Sequence, residues 1–194
     1  MKVMSIRESF LKYLELKLLQ SSFVCDLEGI KIADLVEDEK SFEESITSSL
    51  LRIKELDPRR FITVKKEIRW LMNSNQVPKY GGQYRRRNRV CLLNYSAYSE
   101  DDKLVSLFFA GLVVHEATHG LLDSKGFRYT KENRVQIERI CTAEENRFYK
   151  RAENVYPEYE GMLARDFTPE DWHSDWNTPK WTYVFRTLKR IANG

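Results

Sequence analysis

The chain has 194 residues, a formal net charge of +3, and 42% hydrophobic and 31% charged residues. That balance belongs to a soluble globular protein with a core and excludes wholesale disorder; so small a charge lends no support to nucleic acid as a partner. The three cysteines, Cys25, Cys91 and Cys141, are far apart, odd in number and form no CxxC pair, so neither a disulfide framework nor a zinc knuckle is indicated and a reducing cytoplasm fits best.

Charges at Arg7, Glu8, Lys12, Glu15 and Lys17 interrupt any apolar run at the N-terminus, so it does not read as a signal peptide. Ile6, Phe10, Tyr13, Leu14 and Leu18 recur at helical spacing and predict a helix from Ile6 to Gln20. Phe23 to Leu35 is ambiguous between helix and strand. Ser41 followed by Glu44 resembles a capping box, and Phe42, Ile46, Leu50 and Ile53 continue one face until Asp57-Pro58 ends it. Phe61, Val64, Ile68 and Leu71 suggest another helix, with a strand over Phe61 to Val64 as the alternative.

Pro78 to Asn88 reads as a glycine- and arginine-rich loop, and VCLLNY, Val90 to Tyr95, as a short strand. Ser99 with Asp102 is placed to cap a helix that begins with the apolar run Leu104 to Val114 and ends near Asp123 to Gly126. The run is about half the length of a membrane span, so a buried helix and no membrane contact are expected. Thr130 is a candidate N-cap for a long helix from Lys131 to Val155, closed by Pro157. The tail from Phe167 holds three of the four tryptophans and a last helix from Pro179 to Ile191. The expected fold is mainly α, an α+β arrangement with a small sheet, in a single domain over 1–194. Within it, 1–75 is expected as a helical N-terminal part, 88–156 as the core and 157–194 as a tryptophan-rich helix and tail.

The apolar run leads directly into HEATH. His115 and His119 are four residues apart, so on a helix both imidazoles lie on one face and can reach one Zn2+ ion. Glu116 follows the first of them and projects beside the metal, where a carboxylate can take a proton from an activated water. Two of only three histidines in the chain fall in this pattern, and a buried helix carrying two imidazoles and a carboxylate needs a partner for them.

Zinc requires a further protein ligand. No HxxGxxH continuation follows His119, which points to a carboxylate on the next helix. If the two helices form an antiparallel hairpin, the residues level with the histidines lie roughly 6–12 Å into the second helix at about 1.5 Å per residue. That window, Val135 to Arg139, contains Glu138. Glu144, in the stripe of Ile137, Ile140, Cys141 and Phe148, is an alternative; so is Glu145, which shares the face of Glu138.

HEATH with a downstream glutamate resembles the gluzincin class of zinc metallopeptidases over Leu104 to Phe148, with Glu138 nineteen residues beyond His119. The resemblance implies a zincin-like core, Zn2+ on His115, His119 and Glu138, Glu116 as general base, and a peptide or protein substrate. It also implies that VCLLNY is the edge strand that holds an extended substrate, and that a late His173, or Tyr129 or Tyr183, is an oxyanion candidate. The non-enzymatic alternative is a metallopeptidase-like zinc protein acting as a binding or regulatory module; an intact Glu116 favours the enzyme. Cys141 on the buried stripe is ordinarily core packing, with a metal-adjacent thiol as the alternative. Arg85, Arg86, Arg87 and Arg89 form a basic cluster that is ordinarily solvated surface.

Overall fold

A computed structural model describes residues 6–36, 40–77, 81–95 and 101–167. His173, Tyr183, the tryptophans of the tail, the helix expected over Pro179 to Ile191 and the capping residue Ser99 lie outside the described residues. Helix α1 spans Ile6–Ser21, and the ambiguous segment after it is a β-hairpin of β1 (Phe23–Leu27) and β2 (Ile30–Asp34). Its two turn residues, Glu28 and Gly29, both have positive φ, 53° and 88°, as hairpins with two-residue turns require. The Asp26 carboxylate accepts from the Gly29 N–H at 2.8 Å. A Glu-Gly turn is a weaker sequence signal than Asn-Gly, which is why the hairpin was ambiguous in the chain.

Helix α2 (Lys40–Leu56) buries Phe42, Ile46, Leu50 and Ile53 along one face. Ser41 falls within the helix, which begins at Lys40. Asp57 caps α3 (Pro58–Glu67), its carboxylate accepting from the Arg60 N–H, and Pro58 occupies the first turn. Phe61 and Val64 are thus helical, but the expected continuation through Leu71 is overturned. The chain becomes extended at Ile68, and Trp70–Asn73 is strand β3. The segment 1–75, expected to be helical, supplies β1, β2 and β3 as well as three helices.

Strand β4 (Gly82–Arg85) replaces much of the expected loop, and β5 (Val90–Leu93) falls within VCLLNY. The five strands pair in the order β1-β2-β3-β5-β4, with β2, β3 and β5 parallel and the outer strands β1 and β4 antiparallel to their neighbours. VCLLNY is consequently an interior strand and not an edge; the edge is β4. Interior position explains its composition. Val90 and Leu92 pack with Trp70, Met72, Ala33 and Leu19 on the α1 side, while Cys91, Leu93 and Leu71 face the core shared with α2 and α3. A strand buried on both faces reads as a continuous apolar run without alternation.

Helix α4 (Asp102–Ser124) lies in that larger core, capped by Asp101, whose carboxylate accepts from the N–H groups of Lys103 and Leu104. It is long and apolar enough to cross a membrane by length and composition, and 78% of its most apolar stretch is buried inside the protein. Helix α5 (Arg134–Val155) begins after Asn133, three residues beyond the expected Thr130 cap. Asn133 instead accepts from the Thr130 N–H and hydroxyl, organising the turn before the helix. A 3-10 turn, Pro157–Tyr159, closes α5.

Contacts from Gly111 to Tyr149 and from His115 to Glu145 run α4 and α5 antiparallel. Their close approach depends on Gly111, because a Cβ there would lie 2.2 Å from the Tyr149 ring. Gly111→Ala is expected to destabilise the protein by about 1–3 kcal/mol, the cost of overpacking a filled core. Urea unfolding measures it; an unchanged midpoint would show that the helix pair tolerates separation.

Candidate metal centre

The two helices meet over a group of buried acids and imidazoles. His115, Glu116, Glu138 and Glu145 are each less than 5% exposed, and His119 lies just beneath the surface. The one-turn spacing of HEATH sets the two imidazole rings 5.1 Å apart by their centroids. From α5, Glu138 places Oε2 3.2 Å from His115 Nε2 and 3.5 Å from His119 Nε2. A single carboxylate oxygen therefore faces both imidazole nitrogens. Its other oxygen accepts from the Tyr129 hydroxyl, which also accepts from Arg134 Nε at 2.9 Å.

Glu145 occupies the opposite side of His115. Its Oε2 lies 2.9 Å from Nδ1, and its Oε1 accepts from the Tyr149 hydroxyl at 3.1 Å, with Arg165 at 3.6 Å. A carboxylate on Nδ1 fixes the ring and leaves Nε2 for a metal, the usual support behind a histidine ligand. Glu144 is turned away; it pairs with Arg60 and Arg147 at the surface of α3 and α5. The three glutamates left open by spacing thus separate by direction: Glu138 toward both histidines, Glu145 behind one, Glu144 out of the centre. Cys141 joins the inner group, with Sγ and one nitrogen of each histidine all within 4.8 Å of one another. Glu138, Cys141 and Glu145 share one helical face at i, i+3 and i+7; the shared face of Glu138 and Glu145 was legible in the sequence, where Cys141 fell in the stripe with Glu144.

Glu116 points the other way, toward the sheet edge. A Cβ on Gly82 would lie 2.8 Å from Glu116 Oε1, so the glycine lets β4 lie directly against the carboxylate. The Tyr84 backbone N–H donates to it. Burial pushes the Glu116 carboxyl above the ordinary range, against the pull of His119 and His115. Three of the four cluster arginines pair with the protein: Arg85, the last residue of β4, with Glu15 and Gln76, Arg86 with Asp123 at 2.9 Å, and Arg89 with the Lys66 carbonyl. The cluster reads as structural surface.

No protein-family model, curated protein or solved structure matches this chain. The geometry therefore carries the functional reading alone. The group His115, His119 and Cys141 can bind a metal ion. Charge points the same way: two buried carboxylates, Glu138 and Glu145, lie against the imidazoles, and Arg165 at 3.6 Å from Glu145 is the cation beside them among the described residues' ion pairs. Buried carboxylates are costly unless paired, and a divalent cation beside Glu138 and the imidazoles would supply that pairing.

Without metal, a proton does part of this work. Burial by itself would lower the His115 pKa, but the Glu138 and Glu145 carboxylates outweigh it and raise the value to about 10. Burial would raise Glu138 and Glu145, and their bonds to His115 bring both below the ordinary carboxylate value. In the metal-free protein the histidine contribution to stability is complete below the unfolded value of about 6.5 and is lost as pH rises through about 10. The carboxylate contribution is present above about 4.3 and is lost as pH falls below it. Chelated protein is therefore expected to be most stable between about pH 5 and 6.5. Metal must displace the His115 proton, so affinity should rise about tenfold per pH unit from about pH 7 toward 10. Chelator competition across that range checks it; a pH-independent affinity would refute the protonated pair.

Proposed function

We propose that the protein is a zinc-dependent metallopeptidase with a gluzincin-like, zincin-type core. The observation that carries this is the position of Glu116, a buried carboxylate set between the converging imidazoles and an antiparallel edge strand. The donors suit zinc: two imidazoles and the carboxylate of Glu138 form the three-ligand set of a catalytic site, which keeps one position open. A zinc ion held by His115, His119 and Glu138 would supply Lewis acidity for a carbonyl and for a water.

The chain's own residues do the remainder. Glu145 holds the His115 ring by Nδ1, and Tyr129 holds Glu138 by Oε1, so the donors are oriented before metal arrives. Burial raises the Glu116 carboxyl above its ordinary value, and a carboxylate beside the activated water can accept its proton and return it to the leaving nitrogen. Strand β4 pairs with β5 through one edge; its other edge offers main-chain groups to an extended peptide, with Glu116 beside Gly82.

The test is elemental analysis of protein purified without chelator, with cleavage of a peptide library. About one zinc per chain with metal-dependent cleavage is expected; a metal-free chain that cannot be reloaded would end the reading. A non-catalytic, regulatory zinc protein is the second reading, favoured by Cys141, a fourth donor capable of closing the coordination sphere.

A further inference from the structure

We propose that Cys141 is a fourth protein ligand, so that the metal rests in a closed set of two histidines, Glu138 and a thiolate, and Sγ must leave before water and substrate can bind. The inference rests on the metal-centre reading above. Three observations lead to it. Cys141 is fully buried, and it sits on α5 one turn beyond Glu138, on the same face. Its Sγ and the two imidazole nitrogens lie within 4.8 Å of one another. Donors sharing a tetrahedral zinc, with bonds of about 2.1 Å to nitrogen and 2.3 Å to sulfur, lie about 3.6 Å apart. A closure of about 1 Å by side-chain rotation therefore brings Sγ and the two imidazoles to that spacing, and Glu138 Oε2 already lies 3.2 and 3.5 Å from the imidazole nitrogens. Cys25 lies in β1 and Cys91 in β5, so among the described cysteines Cys141 alone belongs to the inner group.

Chemically, the S–H bond breaks, an Sγ–metal bond forms and the proton passes to solvent; no electrons are transferred. Four protein ligands are the mark of a resting or structural zinc, three that of a catalytic one. Cys141 would thus hold the site latent. Displacing the thiolate opens the position that peptide hydrolysis needs, while His115, His119 and Glu138 keep the ion.

Cobalt(II) in place of zinc gives the test, because a cobalt–thiolate bond has a near-ultraviolet charge-transfer band that imidazole and carboxylate lack. Full-length protein loaded with cobalt should show this band. Cys141→Ala should bind cobalt without the band. Its affinity should fall by more than the roughly 10–100-fold typical of an outer-shell partner. Cys141→Ser, close in volume, should also lose the band, which covers the case in which the alanine variant fails to fold. Cobalt bound by the parent without the band, or a band that survives both substitutions, overturns the thiolate ligand and leaves the metal centre standing. A parent that binds no cobalt and no zinc overturns the metal centre itself.

Discussion

Glu116→Gln is expected to bind zinc as the parent does and to lose about 10²–10⁴-fold in peptide cleavage, the usual scale for removing a general base. The amide keeps the size of the side chain and can still accept from the Tyr84 N–H, so the contact with β4 survives. It cannot take a proton from water at neutral pH. Zinc content, thermal midpoint and cleavage rate should be measured on the same preparation. The separation between unchanged metal and lost rate is the diagnostic feature, because a structural role for Glu116 would move stability as well. A variant that cleaves at the parental rate sinks the base assignment. A parent and variant that both hold zinc and cleave nothing shift the reading toward the closed, regulatory site.

Glu138→Ala should lose metal affinity by well over 100-fold, beyond the range of outer-shell partners. Its Oε2 faces both histidines, so the substitution removes a donor and leaves the protonated His115 with Glu145 alone. Metal-free stability should fall too, since Glu138 is one of two carboxylates that hold the imidazolium. Glu144→Ala is the control. It breaks surface pairs with Arg60 and Arg147 and should retain full occupancy. Loss of metal in the control with retention in Glu138→Ala would mean that the α4–α5 register does not set the ligands.

The helical character of the metal segment was legible in the chain because it follows from local spacing. Imidazoles four apart share a face whatever the surroundings, and an apolar run longer than one turn leading into them demands burial. The same logic made α2 readable from Phe42, Ile46, Leu50 and Ile53, and hairpin length arithmetic put Glu138 level with the histidines while leaving Glu144 and Glu145 open. What local pattern could not supply was the sheet. β3 and β5 are buried on both faces and show no alternation, so Leu71 looked like the continuation of a helix; that VCLLNY would be an edge was an expectation from the resemblance to gluzincins alone.

Only the tertiary structure decided which strand borders Glu116. Strand order depends on pairings between distant segments: β2 with β3, and β3 with β5. These place β4 outermost, and Gly82 then admits the Glu116 carboxylate. Tertiary packing likewise separated Glu138, Glu144 and Glu145, which spacing had left open. The rotation of α5 against α4 turns one glutamate toward both imidazoles, one behind His115 and one out to Arg60. The sequence by itself determined the donor types and their helical faces, because i, i+4 geometry is built into the backbone. Which donors converge depends on contacts between elements far apart in the chain, and no periodicity within one element records that.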